Sequence, residues 1–431
     1  MIKFITKSML IAATLLNTAM YSNKDKVSAQ NEKVSFSTIK TGADNYEKYL
    51  PLIKDKKVGI VTNQTGILKI ESENIVVENG TKEYQRIFSN VHLVDFLIER
   101  KVQVQKIYAP EHGFRGNASN GTKVSDEKDA ATGIQIISLY GKKRKPSKED
   151  LADVDIMIYD IQDVGCRFYT YINVLRDVME SCAEFDKELL ILDRPNPNGY
   201  LVDGPILDMK LKSGIGQFPV PIAHGMTIAE FAQMINGEGW LPEKKTCKLK
   251  IVKVLNYKHD MEYVLPVNPS PNLNTPQSIL LYPSTCLFEG TRLNHGRGTY
   301  FAFTMLGSPL YKGIYDFSYT PASIKGMSES PLYMDELCYG IDLRNYDTKE
   351  LRKNCQINLK WMIDLYNNYP EKDKFFDRSM SKQIGNIDYL IGVADFKNQL
   401  KEGKSEKEIR ASWEPGLSDY KKMRRKYLLY K

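Results

Sequence analysis

Apolar and polar positions follow two rhythms over the first 264 residues. Short aliphatic-rich runs stand at 58–62, 102–108, 134–139, 154–159 and 189–192, the last two almost continuously apolar. That fits strands buried on both faces. Between them the apolar positions take helical spacing, at 91–98 and 171–185, and again at 227–235. In the last of these Thr227 and Glu230 stand three apart, the signature of a capping box that starts a helix. Buried strands separated by helices predict an α/β fold, a Rossmann-like parallel sheet domain with helices on both faces. No G-x-G-x-x-G follows any of the strands, so no dinucleotide or other cofactor is expected.

The texture changes near residue 265. A proline-punctuated stretch over 266–276 ends in Thr275-Pro276, a helix start. Pro283 interrupts the apolar segment 279–287 and leaves its state open. Helical spacing returns at 357–369, at 389–400 and from 404 onward. We expect a catalytic N-terminal domain over 31–264 and a smaller α+β C-terminal auxiliary domain over 265–431. Residues 1–30 place Lys3 and Lys7 before an apolar run at 9–20 that is short and polar at Asn17. This reads as a signal peptide rather than a membrane span, and predicts export to a bacterial periplasm or the medium without stable membrane insertion.

Composition changes the picture in two places. The net charge of +7 suggests a polyanion partner until it is located. The excess sits in residues 1–30 and 401–431, so the body is near neutral and no nucleic-acid partner is expected. Six cysteines are scattered without a C-x-x-C, which predicts buried thiols and no metal site.

The strand ends carry the chemistry. Asn63 follows the first strand; Glu111, His112 and Arg115 follow the second, in a loop with two glycines. The next ends supply Asp160, Asp163, Arg167 and Tyr169, then Asp193, Arg194 and Asn196. His224 precedes the capped helix, and a second polar loop brings Glu289 and Arg297. Open α/β sheets bind ligands beyond the carboxyl ends of their strands, and clefts between domains are favoured ligand sites. A single strand-end Asp is more often a cap or turn former, but four strands delivering such groups to one edge exceed what capping requires. Carboxylates, amides, aromatics and arginines without a G-x-S-x-G motif point to a sugar. Two other readings remain at this stage: a non-catalytic binding protein, and a metal-dependent hydrolase built on His112 and His224.

The strings TNQTG at 62–66, APEHGFRG at 109–116, SLYG at 138–141, YDIQDVGCRFYTY at 159–171, LDRPNPNG at 192–199, HGMT at 224–227, PSPN at 269–272 and GRGT at 296–299 occur in order. Through them the chain resembles the exo-β-N-acetylmuramidases of glycoside hydrolase family 171 over nearly its whole length beyond residue 30. The resemblance implies exo-acting release of N-acetylmuramic acid from the non-reducing ends of peptidoglycan fragments such as MurNAc-GlcNAc, at a site between the two domains. It also implies that Glu111 is the catalytic glutamate. Its partner is Asp163 or Glu289; alternatively the substrate's acetamido group attacks, oriented by Asp160 or Asp163. Substrate contacts are expected from Asn63, His112, Arg115, Asp160, Arg167, Tyr169, Asp193, Arg194, Asn196, His224, Asn272 and Arg297. Arg167 or Arg297 is expected to grip the lactyl carboxylate.

Overall fold

A computed structural model of the chain describes residues 39–78, 81–111, 113–115, 127–141 and 143–431, with backbone alone over 72–78 and 81–88. The expected signal peptide and His112 lie outside the described residues. In chain order the first part runs α1 (Tyr46–Ile53), β1 (Lys57–Thr62), β2 (Ile67–Glu78), β3 (Thr81–His92), α2 (Leu93–Glu99), β4 (Gln103–Ala109), β5 (Glu127–Lys128) and β6 (Gln135–Ser138). It continues with β7 (Ile156–Asp160), α3 (Tyr171–Glu184), β8 (Glu188–Leu192), α4 (Ile228–Gly237) and β9 (Lys248–Val252).

These build a seven-stranded sheet in the order β5-β6-β4-β1-β7-β8-β9. Its pairs are parallel except for the edge pair β5–β6. Without β5 this is the 3-2-1-4-5-6 order of a doubly wound sheet, whose crevice opens where the order reverses beside β1. The two-residue period of the strands sorts the core. Val58, Ile60, Ile156, Ile158 and Leu190 pack with Tyr49 of α1 and with Phe96 and Leu97 of α2. Val61, Met157, Tyr159, Leu189 and Ile191 face the opposite way, onto Leu175 and Val178 of α3 and Phe231 and Met234 of α4. Each such side chain, fully buried, contributes about 1.5–3 kcal/mol. β2 and β3 form a separate antiparallel pair.

The second part contains α5 (Pro276–Thr285), the antiparallel strands β10 (Met305–Ser308), β11 (Phe317–Tyr319) and β12 (Cys338–Asp342), and α6 (Lys349–Asn354). It ends with α7 (Lys360–Asn368), α8 (Ile387–Ile391), α9 (Phe396–Lys401) and α10 (Glu406–Arg424). Its core residues, among them Leu273, Phe288, Ile391, Trp413 and Tyr420, belong to the same apolar cluster as α3 and α4. That cluster runs without interruption across the expected boundary at 264/265. Among the described residues no helix is long and apolar enough to cross a membrane.

Two local details matter for the site. The capping box at α4 forms, with Thr227 N–H donating to Glu230 at 3.0 Å and Glu230 N–H to the Thr227 hydroxyl at 3.3 Å. The expected single helix at 389–400 is two, α8 and α9, because Gly392 takes a left-handed φ of 90° and ends α8.

Candidate active site

Loops at the carboxyl ends of β4, β6 and β7 meet the second part of the chain around a cavity of about 580 Å³. Glu111 enters from the loop after β4, and Tyr140 and Arg144 from that after β6. The segment after β7 supplies Phe168 and Tyr169 and, as α3 begins, Tyr171, Asn173 and Asp177. Asn272, Tyr282, Glu289, Arg297 and Phe303 close it from the other part. The rings interlock edge to face: Tyr169 lies 4.9 Å from Tyr171 and 5.9 Å from Tyr282, and Tyr282 lies 4.9 Å from Phe303. An aromatic wall with a few convergent polar groups is the make-up of a small-molecule site.

Glu111 and Tyr140 line the cavity together, close enough for the carboxylate to act on the phenol. Burial, and then the Glu111 charge, push that phenol up to about 12, so it stays a donor. Asn63, at the end of β1, does not line the cavity but donates to the Tyr171 hydroxyl at 2.8 Å and so positions a ring that does. Glu289 sits at the partition between this cavity and a second one of about 330 Å³. Its Oε1 accepts from Arg297 Nη2 at 2.7 Å, and His295 Nε2 stands 3.7 Å away. Burial alone would raise the Glu289 carboxyl, but the Arg297 guanidinium outweighs it and holds it below its ordinary value. Arg297 Nε donates to His295 Nε2 at 2.9 Å. That nitrogen must therefore keep its lone pair, and burial lowers the imidazole to about 4, so His295 is neutral.

A third carboxyl group, Asp177, was not among the expected site residues. Burial pushes it up to about 6, against the pull of Arg176 bonded at 2.7 Å. Asn173 and Asp177 are one helical turn apart on α3, and both are buried at the cavity wall. Polar residues at i and i+4 within an otherwise apolar stripe were the available signal.

Several expected contacts belong instead to the scaffold. Arg167 is fully buried and donates to four backbone carbonyls, of Pro205, Val220, Leu390 and Ile391, at 2.7–2.9 Å. It pins α8 to the first part of the chain and does not line this cavity, so it is not placed to grip a lactyl group there. Arg194 clamps Asp160 through bonds of 2.6 and 2.9 Å, both residues buried. Arg115 pairs with Asp95 and Asp129 and lies over the Phe114 ring, away from the cavity. Asp193 receives Ala229 N–H at 3.0 Å, at the start of α4, and the Tyr430 hydroxyl at 2.6 Å. Asn196 accepts from Asn198 N–H and donates to the Met226 carbonyl. Asp163 accepts from Gly165 N–H at 2.7 Å, with His224 at 3.6 Å, and neither lines the cavity. Of the expected residues, Glu111, Tyr169, Asn272, Glu289 and Arg297 do come together there. Among the described residues no cluster of three His, Cys, Asp or Glu side chains could hold a metal.

Two family profiles cover this architecture end to end. The N-terminal profile of Exo-beta-N-acetylmuramidase NamZ matches residues 58–277 and its C-terminal profile residues 280–430. The chain belongs to the exo-β-N-acetylmuramidase NamZ family. A NamZ relative, the peptidoglycan beta-N-acetylmuramidase of Bacillus subtilis (strain 168), is 33% identical over 420 residues, 93% of this chain and 94% of its own. Two crystal structures of DUF1343 family proteins from Bacteroides fragilis NCTC 9343 share the fold. One has a TM-score of 0.79 at 41% identity, covering 92% of this chain and 99% of its own. The other has a TM-score of 0.73 at 29% identity, covering 91% and 99%. As a NamZ family member the chain is a peptidoglycan-degrading glycoside hydrolase.

Proposed function

We propose that the 580 Å³ cavity removes a terminal N-acetylmuramic acid from the non-reducing end of fragments such as MurNAc-GlcNAc, with Glu111 as general acid. One observation carries the reading: Glu111 and Glu289, from separate parts of the chain, line one aromatic-walled cavity. Glycoside hydrolysis uses one carboxyl group to protonate the leaving oxygen and a second, ionised group to meet the positive charge at the anomeric carbon or to activate water. Glu289, held ionised by Arg297, suits the second task, whereas Asp163 stands outside the cavity. In a second reading the substrate's acetamido group attacks. Asp177 favours this, since it is the buried carboxyl in the wall, and it replaces Asp160 and Asp163 as the group that orients the amide.

Glu111→Gln tests the acid. On the disaccharide, whose leaving group needs a proton, kcat should fall roughly 10²–10⁴-fold. On a nitrophenyl β-glycoside, whose leaving group needs little help, the loss should be much smaller. Near-normal turnover of the disaccharide would remove Glu111 from this role. Export fits a cell-wall substrate and is tested by sequencing the N-terminus of protein recovered outside the cytoplasm; an intact Met1 would contradict it.

A further inference from the structure

The cavity holds charges of both signs, and they are not equally committed. Arg297 is bonded to Glu289, and Asp177 to Arg176. Along the basic run after β6, Lys143 pairs with Asp150, and Lys145 with Glu180 and Glu184. Arg144, between them, is exposed, lines the cavity and forms no ion pair with any described residue. It stands close enough to Tyr140 and Asp177 for its charge to act on both. Tyr140 lines the cavity beside Glu111 and feels its charge as well. Arg144 therefore lies on the same wall as the proposed acid, one side chain removed from it, and presents an uncommitted guanidinium to whatever enters.

We propose that Arg144 is the carboxylate-binding residue of this cavity and the determinant that selects muramic acid over glucosamine. The inference rests on the function proposed above. Glu111 acts at the anomeric oxygen, while the lactyl ether, which alone separates the two sugars, projects from C3 across the ring. A cation displaced from the acid along the wall meets that carboxylate, and guanidinium forms paired, charge-assisted bonds with it. Arg297, expected from sequence to serve this purpose, spends Nη2 on Glu289 and Nε on His295. It acts on the ionisation of Glu289 rather than on sugar identity.

Steady-state kinetics on two matched chromogenic glycosides read the interaction: β-N-acetylmuramic acid, and the same sugar with its lactyl carboxylate converted to the amide. Arg144→Met should lose roughly 10- to 150-fold in kcat/KM on the acid, the worth of one charged hydrogen-bonding contact, mostly through KM. The loss on the amide should be at least tenfold smaller, and Arg144→Lys should recover part of the loss on the acid. An equal loss on both glycosides, or none on the acid, would overturn the assignment while leaving the muramidase function standing. A wild-type enzyme that hydrolyses neither would overturn that function and this inference with it.

Discussion

Replacing Arg297 by Met removes the group that keeps Glu289 ionised. In the native arrangement burial pushes the carboxyl up, and Arg297, at 2.7 Å, more than reverses it. A hydrogen bond to a charged partner is worth about 1.5–3 kcal/mol, and one pKa unit is about 1.36 kcal/mol. The variant should therefore raise the Glu289 pKa by roughly one to two units. Neutral His295 can supply little of the missing charge. The sign follows from which form works. If ionised Glu289 is required, activity exists above its pKa and is lost as pH falls through it. Raising the pKa moves the acidic limb of the kcat/KM profile up by the same one to two units. The assay is a pH–rate profile on a chromogenic muramic-acid glycoside, with Arg297→Lys as the charge-preserving control that keeps the limb near its native place. An acidic limb that does not move in Arg297→Met, with activity retained, would refute the assignment of Glu289.

The scaffold makes its own predictions. Arg194→Met leaves Asp160 buried without its guanidinium and should cost about 3–5 kcal/mol of stability, read by urea unfolding; a loss under 1 kcal/mol would contradict the buried pair. Asp193 is pushed up to about 7 by burial, against an unfolded value of about 3.9. The native state therefore holds a proton that the unfolded chain releases, and this contribution is full below about pH 4 and lost as pH rises through 7. Asp193→Asn should flatten that fall in stability between pH 4 and 7, and an unchanged slope would contradict the shift.

Much of the fold was legible because its signals were local. Strand β7 is apolar on both faces, and the Thr227–Glu230 box announces α4 within four residues. Strand β9 was not legible, because an edge strand reading Lys-Leu-Lys-Ile-Val needs no continuous apolar run. The break between α8 and α9 was hidden for a long-range reason. A Cβ on Gly392 would stand 2.4 Å from Arg167 Nη2, a contact 225 residues away in sequence. The site was half legible. Strand-end Asp, Asn and Arg residues mark the correct edge of the sheet, but the same residue types also satisfy buried backbone groups. Nothing in the sequence separates Arg167, spent on carbonyls, from Arg144, turned to the cavity. Asp177 escaped because it lies inside a helix rather than at a strand end.

Incubating the enzyme with a defined peptidoglycan chain fragment carrying muramic acid at its non-reducing end, and identifying the first product by mass, tests whether it acts as an exo-muramidase. The expected product is one free N-acetylmuramic acid per chain, leaving N-acetylglucosamine at the new non-reducing end, and none with Glu111→Gln. Release of N-acetylglucosamine first, internal cleavage to larger fragments, or an unaltered chain would contradict exo-muramidase action.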